Sequence, residues 1–177
     1  MKKIVVIVAL ALFMAACSSH KKNIDSTAGR QPGISVAPVQ KKEPQGIDGA
    51  IADKLVKEAR KWIGTKYKYG GQSRSGTDCS GMVMTIFNDV AGIKLPRDSR
   101  SQQQYCKPLD KKKLAPGDLV FFCTGSDGSR VNPVGLYIGG GDFIHSSTSK
   151  GVIVSNMSQD YYARHFHSAG RVAALEK

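Results

Sequence analysis

Four short runs follow one another in the second half of the chain: DLVFFC (118–123), VGLYIG (134–139), DFIHS (142–146) and GVIVS (151–155). Each is rich in β-branched or aromatic residues, and Gly-rich turns separate them, GGG at 139–141 among these. This is the pattern of strands joined by tight turns. HSAGRVAAL (167–175) offers one strand more. Earlier residues repeat at a different period. Asp48 reads as an N-cap, Ile51, Leu55, Ala59 and Trp62-Ile63 recur at helical spacing, and Gly64 closes that helix. A second helix starts at Asp78, shows Val83, Ile86, Phe87 and Val90 on one face, and ends at Gly92. Helices first and strands afterwards predict an α+β domain, with N-terminal helices packed on an antiparallel sheet of about five strands. A hydrophobic fraction of 41% supplies one core.

That domain is expected over 48–177. Ahead of it, MKKIVVIVALALFMAACSSH has a basic start, an apolar run from Ile4 to Ala16 and small residues before Cys17. Thirteen apolar residues are too few to cross a bilayer core, which takes roughly 20. The plan is that of a secretory signal. Its ending, Ala15-Ala16-Cys17, resembles a bacterial lipoprotein signal, which implies residues 1–17 as signal with Cys17 lipidated as the mature N-terminus. Cleavage near Ala16 without lipidation is the alternative. Ser18, with no Asp beside the cysteine, suits sorting to the outer membrane rather than the inner. Residues 18–47 are polar, rich in Gly, Pro, Ser and Lys, and lack apolar periodicity, so they are expected to form a disordered tether.

The formal net charge of +12 divides into +4 over residues 1–49 and +8 over 50–177. A basic domain favours anionic partners or simply a solvated surface. No RNA-binding signature with interleaved aromatics, zinc spacing or helix-turn-helix pattern is present, so nucleic acid is not an expected partner. Oligomeric state is not legible.

The stretch GTDCSGMVMTIF (76–87) places Cys79 in the first turn of the second helix. Free N–H groups and the helix dipole there favour an anion, which predicts a thiolate more abundant than in a free cysteine. A buried structural thiol is the competing reading. Cys106 and Cys123 open no helix; they could pair in an oxidising compartment or remain reduced and packed. The absence of C-x-x-C argues against a thiol oxidoreductase.

Over residues 64–83, GTKYKYGGQSRSGTDCSGMV, the chain resembles the NlpC-type cell-wall peptidases, a papain-like cysteine peptidase family. LPRDSRSQ (95–102), LAPGDLVFF (114–122), VGLYIGGGDFIHSS (134–147) and GVIVS (151–155) continue the resemblance, which covers roughly residues 50–173 in order. It implies a papain-like core, a bacterial envelope location and hydrolysis of peptidoglycan stem peptides, with no cofactor and no metal. Position by position, Cys79 matches the nucleophile and His145 the polar residue that orients the catalytic imidazole. Tyr67, Asp78 and Ser80 match positions lining the substrate cleft. Read locally, Tyr67 is equally core packing, Asp78 a helix cap and Ser80 a small first-turn residue.

Relatives read HVGIY where this chain reads PVGLY, so Pro133 stands at the position of the base histidine. Proline has no titratable group and no N–H, yet it can begin a strand. The other histidines are His20 in the tether, His145, His165 and His167. His145, expected on the strand beside Pro133, is the one placed to lean across as a substitute base. Two functions compete: a lipid-anchored cysteine peptidase cutting stem peptides, and an impaired or inactive member that binds cell-wall peptides or a partner protein.

Overall fold

The computed structural model describes residues 47–124 and 131–176. The signal, the lipidation site Cys17 and most of the tether lie outside them. The first helix, α1 (Gly49–Arg60), starts at Asp48, whose carboxylate accepts from the amide of Ala50 at 2.9 Å. Its buried residues are Ala52, Leu55 and Ala59, which share one face at helical spacing. A two-stranded hairpin follows, β1 (Gln72–Ser73) with β2 (Gly76–Thr77), and leads directly into α2 (Cys79–Ala91). Gly92, at φ +68°, ends α2 in the left-handed conformation that glycine adopts without strain. A third helix, α3 (Ser99–Tyr105), precedes the sheet.

Six strands form that sheet: β3 (Lys107–Leu109), β4 (Leu119–Cys123), β5 (Val131–Gly139), β6 (Asp142–Ser147), β7 (Gly151–Asn156) and β8 (Phe166–Arg171). Their spatial order is β3-β8-β4-β5-β6-β7, and every pairing is antiparallel. The α+β architecture is as expected from the sequence; the sixth strand, β3, is the addition. A short helix, α4 (Asp160–His165), links β7 to β8.

Alternation along the strands divides the core in two. Leu119 and Phe121 of β4, Val134 and Leu136 of β5 and Ile144 of β6 pack with α1 and α2 through Leu55, Ala59, Ile86 and Phe87. Val120, Phe122, Phe143 and Ala169 face the other way and pack with Tyr162 of α4. A buried ion pair anchors the sheet: Arg171 donates to both carboxylate oxygens of Asp118 at 2.7 and 2.8 Å, and the amide of Ala115 donates to the same group at 2.7 Å. Cys106 carries a free thiol, so a Cys106–Cys123 disulfide is not made. Burial pushes the Cys106 thiol up to about 12.

Candidate active site

The cysteine is placed by its neighbour. Asp78 has an extended backbone, φ −98° and ψ 177°, and caps α2 by accepting from the amide of Gly81 at 2.7 Å. Its second oxygen accepts from the amide of Gly70 at 2.8 Å, which ties the preceding loop to the helix start. Arg97 completes the arrangement with a bidentate pair, Nη1 to Oδ1 at 3.0 Å and Nη2 to Oδ2 at 2.7 Å, and Nη1 also donates to the Ser80 hydroxyl at 2.9 Å. Burial works to raise the Asp78 pKa. The Arg97 hydrogen bonds and the amides of Gly81 and Gly70 outweigh it, so the carboxyl is held below its ordinary range. Gly81 is required by closeness: a Cβ there would lie 2.1 Å from the Gly71 carbonyl oxygen.

Behind the cysteine, the Ser146 hydroxyl donates to the Thr77 carbonyl at 2.9 Å, and the Cys79 thiol donates to the Ser146 carbonyl at 2.9 Å. The start of α2 is thereby fixed to β6. Cys79 faces a cavity of about 620 Å³ whose walls include Tyr67, Asp78, Ser80, Arg97, Pro133, His145 and Tyr162. All five residues expected to act or bind at the site, Cys79, His145, Tyr67, Asp78 and Ser80, are therefore brought to one cleft, with Pro133 beside them. Tyr67 is half-buried; burial, with the neighbouring Cys79 and Asp78, raises its phenol above the ordinary value. Among the described residues no cluster of His, Cys, Asp or Glu could hold a metal ion.

The protonation states differ from expectation. Burial pushes the Cys79 thiol up to about 11. Backbone hydrogen bonds at Ser146 and Val134 only partly offset it, and the charge of Asp78 adds to the rise. The enrichment in thiolate expected from the helix dipole is not realised. A helix end is worth about 0.3–1 kcal/mol at an exposed site and up to ~2 kcal/mol in a partly buried one, whereas burial carries the thiol from 9.0 to about 11 at roughly 1.36 kcal/mol per unit. Here the capping carboxylate of Asp78 sits against that end as well.

Nor does His145 lean across to the thiol. Its Nε2 lies 3.0 Å from the Ser155 hydroxyl and 3.0 Å from the Tyr162 hydroxyl, and Ser155 donates to Tyr162 at 3.2 Å. The register explains this. His145 pairs with Ile153, so Ser155 on β7 is its diagonal neighbour, and His145 shares a strand face with Phe143. That face is the one covered by Tyr162, so the Nε2 of His145 is taken up by Ser155 and Tyr162. Burial lowers the His145 imidazole to about 4, so it is neutral at pH 7. Among the described residues no hydrogen bond joins Cys79 to an imidazole; with the thiol at about 11 and the nearest cleft histidine at about 4, the proton stays on sulfur. His165 and His167 lie outside the cleft walls.

Three residues of this network were not singled out by the sequence: Arg97, Ser155 and Tyr162. Arg97 had a signal, since it belongs to the LPRDSRSQ stretch and an isolated carboxylate at a helix cap invites a guanidinium. Ser155 and Tyr162 are made relevant only by strand register and by the seat of α4.

The comparisons agree with this geometry. The family model described as "NlpC/P60 family" matches residues 64–171. The chain is 34% identical over 173 residues to the Escherichia coli K12 protein named Murein DD-endopeptidase MepS/Murein LD-carboxypeptidase, covering 93% of this chain and 89% of that one. It is 38% identical over 162 residues to the protein of the same strain named Probable endopeptidase NlpC, covering 92% and 94%. Among solved structures, an NlpC/P60 family protein from Bacillus cereus superposes with a TM-score of 0.65 at 33% identity, over 72% of this chain and 41% of that longer one. The papain-like core, the cleft and the sequence therefore converge, and the chain belongs to the NlpC/P60 family.

Proposed function

We propose that this protein acts on peptidoglycan: the cleft holds a murein stem peptide and Cys79 hydrolyses one of its amide bonds slowly. The observation that carries the reading is the placement of Cys79 at the start of α2, on the wall of a cavity it shares with the Asp78–Arg97 pair. Sulfur attacks the amide carbonyl, and the free N–H groups at the helix start, that of Cys79 included, stabilise the oxyanion. The leaving amine needs a proton that no imidazole is placed to give, and the resting thiol must first lose its own. The missing imidazole at Pro133 limits turnover. The names of the two Escherichia coli relatives support the substrate class.

The test is incubation of the full-length chain with purified peptidoglycan and mass analysis of the soluble fragments. Slow release by wild type and none by Cys79→Ala is the expected result. Equal release by both would remove Cys79 from the chemistry. A second reading, a cell-wall peptide binder without turnover, is favoured by the neutral thiol and by Pro133; no release by either form, with stem peptide still bound, would establish it.

The same reading places the domain on a lipid anchor at Cys17, on the periplasmic side and more specifically at the outer membrane. The 13-residue apolar run is too short to span, and Ala-Ala-Cys follows it. Mass spectrometry of the mature N-terminus is expected to show an acylated Cys17. An unmodified terminus produced by cleavage at another site would remove the anchor.

A further inference from the structure

Tyr161 has a setting that the chemistry above does not use. It stands on α4 and lines the cavity that contains Cys79, yet 48% of it is exposed. Its ring is nonetheless braced. The imidazole of His165, one turn on, stacks against it with centroids 4.3 Å apart and planes at 27°. His165 Nδ1 lies 2.6 Å from the Tyr161 carbonyl oxygen, which holds the imidazole in that position. Tyr162 meets the ring edge-on at 5.2 Å and 87°, and is itself fixed through its hydroxyl to His145. His165 stacks on one face and Tyr162 contacts the ring at right angles, while about half of the residue stays exposed. Such a surface loses little conformational freedom when a ligand covers it. Tyr69 also lines the cavity, but it is 88% exposed and makes no ring contact among the described residues.

The shape of the platform selects its ligand. A murein stem peptide consists of small or charged amino acids and offers no broad apolar side chain. The broad apolar faces of a murein fragment are the C–H faces of its sugar rings. These carry weakly positive hydrogens that suit the negative face of an aromatic ring. Hydroxyls of Thr124, Ser147, Thr148 and Ser149 line the same cavity and can serve both as donors and as acceptors to a polyhydroxylated ligand.

We propose that Tyr161, braced by His165 and Tyr162, is a sugar-stacking subsite that receives the amino sugar bearing the stem peptide. The peptide then runs along the cleft toward Cys79. This rests on the murein reading above and deepens it: the protein prefers stem peptides still joined to their glycan over the same peptides released from it.

Calorimetry on the full-length chain, with Cys79→Ala to prevent turnover, tests the preference. The two ligands are a disaccharide-tetrapeptide and the same tetrapeptide without sugars. The disaccharide form is expected to bind roughly 3- to 10-fold more tightly, the range of one aromatic contact. Tyr161→Ala should erase that margin and leave the affinity for the free tetrapeptide unchanged, whereas Tyr161→Trp should retain it. Equal affinity for the two ligands before any change at Tyr161 overturns the subsite. So does a margin that survives Tyr161→Ala, or an equal loss of both ligands in that variant with the loss repeated in Tyr161→Trp. Failure of both ligands to bind removes the murein reading itself, and the subsite with it.

Discussion

Pro133→His is expected to raise the release of peptidoglycan fragments by roughly 10²–10⁴-fold, the usual contribution of a positioned base. The position is suitable on three counts. Pro133 lines the cavity beside Cys79. The backbone of the next residue, Val134, lies near enough to the thiol to lower its pKa, so this end of β5 runs close to the sulfur. The β5–β6 pairing of Leu136 with Ile144, continued by one residue, sets His145 across from Gly135, on the strand face that Pro133 shares. A new imidazole would therefore stand next to His145, which could orient it. Histidine also restores an N–H that proline lacks, so the strand has no reason to reject the change. Fragment release is measured for wild type, for Pro133→His and for Pro133→His with Cys79→Ala. The double variant should be silent. Efficient wild-type cleavage that Pro133→His leaves unchanged would sink the idea that this position limits the chemistry, and its loss in His145→Ala would identify His145 as the working base.

The thiol itself should titrate late. With its pKa pushed up to about 11, Cys79 holds on the order of one thiolate in ten thousand at pH 7, against a few per cent for an ordinary cysteine. Iodoacetamide labelling, with Cys106 and Cys123 replaced, is expected to quicken about tenfold per pH unit from 7 to 10 without levelling off. A plateau near or below pH 8.5 would show instead that the helix end prevails over burial. The two experiments are linked. An imidazole at position 133 would accept the thiol proton and form an ion pair with the thiolate, so Pro133→His should also bring the labelling inflection down toward neutral pH. A variant that gains activity with no movement of that inflection would be acting on the leaving amine rather than on the nucleophile.

What the sequence makes legible follows the range of the forces involved. The start of α2 could be read because an Asp cap, a small first turn and an apolar face are all local. Gly92 marks its end for the same reason. The strands from β4 to β7 were legible because alternation and Gly-rich turns are also local signals. By contrast α3, SRSQQQY, buries Ser99 and Gln102 and shows no apolar stripe. The edge strand β3, KPL, contains a proline and owes its place to pairing with β8. The site divides in the same way. Residue types at Cys79, Asp78 and His145 announce chemistry, but their protonation is a tertiary property. Desolvation by two cores, a diagonal neighbour on β7 and a tyrosine from α4 decide it, and none of these is visible in a window of residues.

The triple duty of Asp78 has an evolutionary corollary. One carboxylate caps the helix, ties down the Gly70 loop and holds Arg97 against Ser80. Gly81 is likewise dictated by a backbone that passes too near for any side chain. Selection for folding alone would preserve Asp78, Gly81 and Arg97 in descendants that had stopped cutting anything: losing Asp78 would expose a helix end, losing Arg97 would leave that carboxylate without its cation, and a side chain at 81 would force two backbones apart. Position 133, by contrast, bears on none of these contacts and is free to drift once turnover ceases to matter. Within a lineage built this way, the DCSG stretch records ancestry and stability, and position 133 on β5 records whether the chemistry is still in use.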